Sequence, residues 1–132
     1  MSDFDVVGAY FDAVNADDWA ALAELWEADA ELIATGARPR RGRDDVLAYY
    51  PRVLAGYAPH LDTPGRRITE GSAVMVEVSF TGVTGHGRPV AFDAIDVFDL
   101  TTPGPGSGRA RIRRLSTWYD TAAVLRQVRG EA

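Results

Sequence analysis

The segment Val90-Ala91-Phe92-Asp93-Ala94-Ile95-Asp96-Val97-Phe98-Asp99-Leu100 reads as a strand covered on both faces that carries an acid. Side chains alternate along a strand, so Phe92, Ala94, Asp96 and Phe98 share one face and Ile95 and Val97 the other. Asp96 then stands between two phenylalanines, with little water to solvate its charge. Unpaired burial of a carboxylate is expensive, so the group either finds a partner or takes up a proton. From the strand alone two readings stay open. One is a carboxyl satisfied by backbone donors or an arginine; the other is a functional acid.

Working outward, the neighbouring stretches also read as β structure. Gly85-His86-Gly87 is a turn signal that joins Pro89–Leu100 to a strand over Ala73–Val83, whose Val74, Val76, Val78 and Phe80 share one face. A strand over Arg66–Glu70 precedes it. The proline- and glycine-rich run Thr101–Gly108 predicts a longer hairpin loop before a last strand, Ala110–Tyr119. Asp120 ends that strand and is placed to cap a helix over Thr121–Arg129, so capping competes with any chemical role for it.

The N-terminal half carries helical spacing instead. Val7, Tyr10, Phe11 and Val14 form one face of a helix over Asp3–Asn15, which points Tyr10 inward, either as a core tyrosine or as a functional hydroxyl. Asp17 or Asp18 caps a second helix over Trp19–Glu27 that buries Leu22, Leu25 and Trp26. A short strand over Ala30–Thr35 follows, with Leu32 and Ala34 on one face. A third helix begins at Asp44 or Asp45, buries Val46, Leu47, Tyr50, Val53, Leu54 and Tyr57, and is expected to kink or split at Pro51. Helix, helix, short strand, helix and then four long strands make an α+β chain, read as one domain over residues 1–132. A strongly curved antiparallel sheet would wrap onto the helices and leave a cavity.

Composition narrows the chemistry. The 132 residues contain no cysteine and no lysine, all fourteen basic residues being arginine, and only two histidines, His60 and His86. Thiol nucleophiles, cysteine-held zinc and Schiff bases from a side-chain amine are thereby excluded, and two histidines argue against a multi-histidine metal site. His86 falls in a turn and is expected to be exposed. A net charge of −5 and basic clusters without interleaved aromatics argue against nucleic acid. No apolar run approaches membrane-spanning length, and the acidic start lacks a signal-peptide layout, so the cytoplasm is the expected location and no membrane partner is expected. Chemistry is left to carboxylates, tyrosines and one histidine.

The order of elements and several local motifs resemble the NTF2-like superfamily over nearly the whole chain, and within it the ketosteroid-isomerase and SnoaL-type polyketide-cyclase branch. The motifs are a tyrosine in the first helix followed by an acidic break, Tyr10 to Asp18; a Gly-Arg opening of the third helix that ends in an aromatic pair, Gly42 to Tyr50; the strand motif Ile95-Asp96-Val97; and the aromatic pair Trp118-Tyr119 that closes the sheet. The resemblance implies a cone-shaped fold and a cofactor-independent, metal-free pocket for a hydrophobic small molecule. It also implies a homodimer. Tyr10 falls on the tyrosine that donates to a substrate oxyanion, Asp96 on the aspartic acid that stays protonated beside it, and Tyr50 on a tyrosine that supports the first. That carboxylic acid, kept neutral by apolar surroundings, is the reference case of its kind.

The position of the isomerase base, on the short strand, is Ala34, and a one-residue slip there offers only Ile33 or Thr35. Asp120, Glu77 and His60 are the candidates for a second proton-transfer group, and SnoaL-like cyclases resemble this chain in a late acid, which slightly favours Asp120. Trp26, Ala34, Phe80, Phe92, Phe98 and Trp118 are the expected substrate-binding wall. Two functions remain open: an isomerase or cyclase acting on a polyketide- or steroid-like carbonyl compound, and a non-catalytic binding or assembly domain.

Overall fold

A computed structural model describes residues 4–103 and 108–131. The loop predicted over Thr101–Gly108 and the predicted helix start at Asp3 fall partly outside them. Three helices, α1 (Val6–Asn15), α2 (Trp19–Ala23) and α3 (Arg43–Leu54), accompany β1 (Trp26–Ala34) and the two-residue β2 (Arg40–Arg41). The strands β3 (Tyr57–Glu70), β4 (Ala73–Thr84), β5 (Pro89–Leu100) and β6 (Ile112–Trp118) follow, and α4 (Thr121–Val128) comes last. The sheet runs β2-β1-β6-β5-β4-β3 and is open at both ends. All its pairings are antiparallel except β1–β6, which is parallel. Register breaks in β1, β3 and at the end of β5 bend the strands.

Asp5, Asp18 and Asp120 cap α1, α2 and α4, each carboxylate accepting a backbone N–H three residues on. The apolar stripe of α1 packs Val7, Phe11 and Val14 against Leu22, Trp26, Val76 and Phe98, all buried. β4 alternates almost perfectly, with Val74, Val76, Val78 and Phe80 inward. Burying one such side chain is worth roughly 1.5–3 kcal/mol, which makes this one-sided pattern hold the sheet to the helices. Among the described residues no helix is long and apolar enough to cross a membrane.

Three elements differ from their sequence reading. The second helix stops at Ala23, not Glu27, because Leu25 accepts a backbone hydrogen bond from Ile112 and Trp26 pairs with it, which draws this segment into the sheet. β3 begins at Tyr57 rather than Arg66; it is an edge strand, so Pro59 and Pro64 break no interior ladder. α3 runs through Pro51 as one helix, and the Pro51 carbonyl still accepts the Ala55 N–H. Pro51 stands only one turn from the helix end.

Candidate active site

The concave face of the sheet and the helices enclose a cavity of about 130 Å³. Its inner end is formed by Tyr10 of α1, Tyr50 of α3, Leu32 of β1, Val78 of β4, Asp96 of β5 and Leu115 of β6. Towards the mouth stand Tyr49, Val53, Leu54, Tyr57, Phe92 and Tyr119. Four of the aromatic rings form a continuous wall across the strands. Tyr57 meets Phe80 edge-on at 5.1 Å, Phe80 stacks on Phe92 at 4.8 Å, and Phe92 stacks on Tyr119 at 4.9 Å. Gly82 makes room for the first pair, since a Cβ there would lie 3.0 Å from both Tyr57 and Phe80.

The hydroxyls of Tyr10 and Tyr50 are 3.0 Å apart in a buried hydrogen bond. Burial raises both well above the ordinary tyrosine range, with the Asp96 carboxyl nearby acting in the same direction, so both stay protonated. The two rings are held from behind. Phe98 lies 5.1 Å and Trp26 6.3 Å from Tyr10, and Trp26 also touches Tyr50.

Asp96 is buried, with 7% of its surface exposed. Burial pushes its pKa up to about 7; the Thr117 hydroxyl, its partner across β5–β6, acts downward, and Asp62 acts upward. Among the described residues no arginine lines the cavity, which leaves Asp96 without a cationic partner in its wall. Burial favours the neutral form of the carboxyl, and a neutral carboxylic acid is a hydrogen-bond donor.

Asp62 is a second acid in the same wall, and sequence reasoning missed it. Burial raises its pKa to about 6, against a downward pull from His60. As part of an edge strand its backbone has a free side, and Asn15 at the end of α1 fills it. Asn15 donates from Nδ2 to the Asp62 carbonyl and accepts from the Asp62 N–H through Oδ1, both at 2.8 Å. Only backbone atoms of Asp62 enter this clamp, so the carboxylate is left to the cavity. No local signal marks Asp62, because β3 is largely exposed and carries no clear alternation.

Of the residues singled out by sequence, Tyr10, Tyr50, Asp96, Phe80 and Phe92 line the cavity. Others do not. Trp26 and Phe98 are completely buried behind the tyrosines and form the core rather than the wall. Ala34 is buried outside the wall, which Leu32, two residues earlier on the same face, reaches instead. Trp118 points to the outer face, opposite Ile95, and donates its indole N–H to Ser116; the alternation of β6 puts Tyr119 in the cavity.

The three sequence candidates for a second proton-transfer group also lie elsewhere. Asp120 is exposed and spends its carboxylate on the Ala123 N–H at 3.0 Å. Glu77 bridges Arg66 on the surface at 3.2 Å. His60 is bound to Asp17 at 2.6 Å. Among the described residues no cluster of histidine and carboxylate side chains is arranged to hold a metal.

The SnoaL-like domain model matches residues 7–105. Comparison with curated proteins gave no match. Solved structures share the fold at low identity. A protein with a ketosteroid isomerase-like fold from Catenulispora acidiphila superposes with a TM-score of 0.81 at 21% identity, covering 99% of this chain and 96% of its own. A protein from Jannaschia assigned by similarity as a SnoaL-like polyketide cyclase gives 0.80 at 17%, with 96% and 91% covered. An epoxide hydrolase from M. tuberculosis gives 0.74 at 19%, with 95% and 90% covered.

Proposed function

The chain belongs to the SnoaL-like domain family, and from that premise we propose that it is a small-molecule enzyme whose cavity stabilises an enolate or related oxyanion. The ligand is a hydrophobic carbonyl compound, and the reaction is an isomerisation or cyclisation. Tyr10, supported by Tyr50, and protonated Asp96 donate to the developing negative oxygen. The observation that carries the reading is a carboxyl buried beside a tyrosine pair in an apolar cavity with no cation in its wall among the described residues. Donors fixed before the charge develops need no reorganisation, and each is worth roughly 3 kcal/mol in comparable sites. The cavity bounds the ligand too. An apolar cavity of roughly 150 Å³ holds a benzene molecule, so about 130 Å³ seats one six-membered ring, and a larger polycyclic ligand leaves its remainder at the aromatic mouth.

Binding of 4-nitrophenol, an enolate mimic, tests this reading. Tyr10→Phe and Asp96→Leu should each weaken binding about tenfold or more, on the order of 1.5–3 kcal/mol for a hydrogen bond to a charged group. Asp96→Asn keeps a donor and should lose less. Binding that ignores both positions refutes the reading. A non-catalytic binding domain is the second reading, favoured by Ala34 at the position where related isomerases keep their base. Proton exchange into a bound ketone separates the two, since a binder catalyses none.

We also propose a homodimer through the outer face of the sheet. Ile68, Met75 and Val97 pair in register across β3, β4 and β5, and Ile95 faces Trp118 across β5–β6. Ile68, Met75 and Trp118 are about half exposed, at 50%, 45% and 53%, which leaves a contiguous apolar face open to water.

A further inference from the structure

We propose that Asp62 is the proton-abstracting base of this site, supplied by β3 instead of β1. The proposal rests on the donor assignment of Tyr10 and Asp96 and adds the half of the chemistry that Ala34 cannot provide.

The placement is the argument. Among the described residues Asp62 and Asp96 are the two carboxyl groups in the cavity wall, and they come from different strands, β3 and β5, with β4 between them. Asp62 is in register with Phe80, whereas Asp96 is in register with Val76, four residues along β4. The two acids therefore sit diagonally across the concave face rather than side by side. A ring whose carbonyl oxygen reaches Tyr10 and Asp96 points its far carbons along that diagonal, towards β3. Asp62, Asp96, Tyr10 and Tyr50 all line this one cavity.

The surroundings also separate the roles. His60, two residues away on β3 and bonded to Asp17, draws the Asp62 pKa down, whereas the downward influence on Asp96 comes from the Thr117 hydroxyl and not from a histidine. The histidine neighbour favours the anion of Asp62, and the deeper burial of Asp96 favours its protonated form. Two titratable groups pushed apart by their environments are the usual arrangement of a base and an acid in one site. β4 holds one side of the Asp62 backbone and Asn15 binds both its N–H and its carbonyl on the other, which holds the carboxylate on a rigid support while the clamp itself uses neither carboxyl oxygen.

The step balances without a co-reactant. The Asp62 carboxylate takes a proton from the carbon alpha to the carbonyl. The C–H electron pair becomes the enolate double bond as the carbonyl oxygen gains negative charge and accepts hydrogen bonds from Tyr10 and Asp96. Asp62, now a carboxylic acid, returns the proton to the γ-carbon of a β,γ-unsaturated ketone, and the carbonyl re-forms in conjugation with the shifted double bond.

Cyclohex-3-en-1-one, a single ring of the size the cavity takes, is the probe. Its conversion to cyclohex-2-en-1-one and its deuterium uptake in D₂O are followed by NMR for the parent, Asp62→Asn and Asp62→Ala, with 4-nitrophenol affinity measured on each. Asp62→Asn should lose exchange by about 10²–10⁴-fold, the range for removal of a general base. Its 4-nitrophenol affinity should be retained or improved, because an anion facing the phenolate has gone. Added formate should restore part of the rate to Asp62→Ala, which a purely structural role would not allow. Exchange by Asp62→Asn at the parent rate overturns the proposal, and so does a parent that binds 4-nitrophenol without exchanging the ketone. If Tyr10→Phe leaves 4-nitrophenol binding unchanged, the donor assignment fails, whatever position 62 does.

Discussion

Asp96→Asn gives the most direct check on a protonated acid in the cavity, through the pH dependence of stability. Folding raises the Asp96 pKa from 3.8 to about 7. Between those values the native state holds a proton that the unfolded chain has released, so stability falls as pH rises across that window. One pKa unit corresponds to about 1.4 kcal/mol. Between about pH 4.5 and about pH 8 the Asp96 carboxyl therefore removes about 3 kcal/mol of stability. Asp62, raised from 3.8 to about 6, removes up to about 2 kcal/mol more in the same direction. Asp5 and Asp45, which folding pulls down, act in the opposite sense, and only at pH values below this window. Asparagine keeps the shape of the side chain and cannot ionise. Urea unfolding across the pH series should show Asp96→Asn declining less than the parent by about 3 kcal/mol over the window. Parallel curves for the two proteins would mean that Asp96 is ionised in the native state at neutral pH, and the donor reading would be refuted.

Three further outcomes follow from particular contacts. Gly82→Ala places a Cβ 3.0 Å from the Tyr57 and Phe80 rings, so it should lower stability by about 1–3 kcal/mol and displace Tyr57 at the mouth, read by thermal unfolding and by tyrosine NMR shifts. Asp120→Ala removes the α4 cap and should cost about 1 kcal/mol without changing 4-nitrophenol affinity; a lost affinity would return Asp120 to the site. Sedimentation should give twice the 14.3 kDa chain mass, and a Met75→Arg, Trp118→Arg double variant should sediment as a monomer. A monomeric parent at micromolar concentration removes the outer sheet face as an interface.

Local periodicity was enough to determine much of this protein. The strand Pro89–Leu100 has the bounds read for it, and the inward face of Phe92, Ala94, Asp96 and Phe98 follows from alternation. The helical stripe that turns Tyr10 inward is equally local, because 3.6-residue spacing is written into neighbouring positions. Periodicity assigns a face, however, and does not distinguish a cavity wall from the core behind it. Trp26 and Phe98 share the inward direction with the wall and end in the core, while Tyr119 enters the cavity in place of the expected Trp118 because β6 sets which of the two points in. Only the tertiary structure decided the position of Asp62. The strand that carries it has no alternation of its own, being an exposed edge. Its register is held by β4 and its free backbone side by Asn15, 47 positions earlier in the chain. A carboxylate facing another across a curved sheet is a product of contacts between segments distant in sequence, and no spacing within either segment records it.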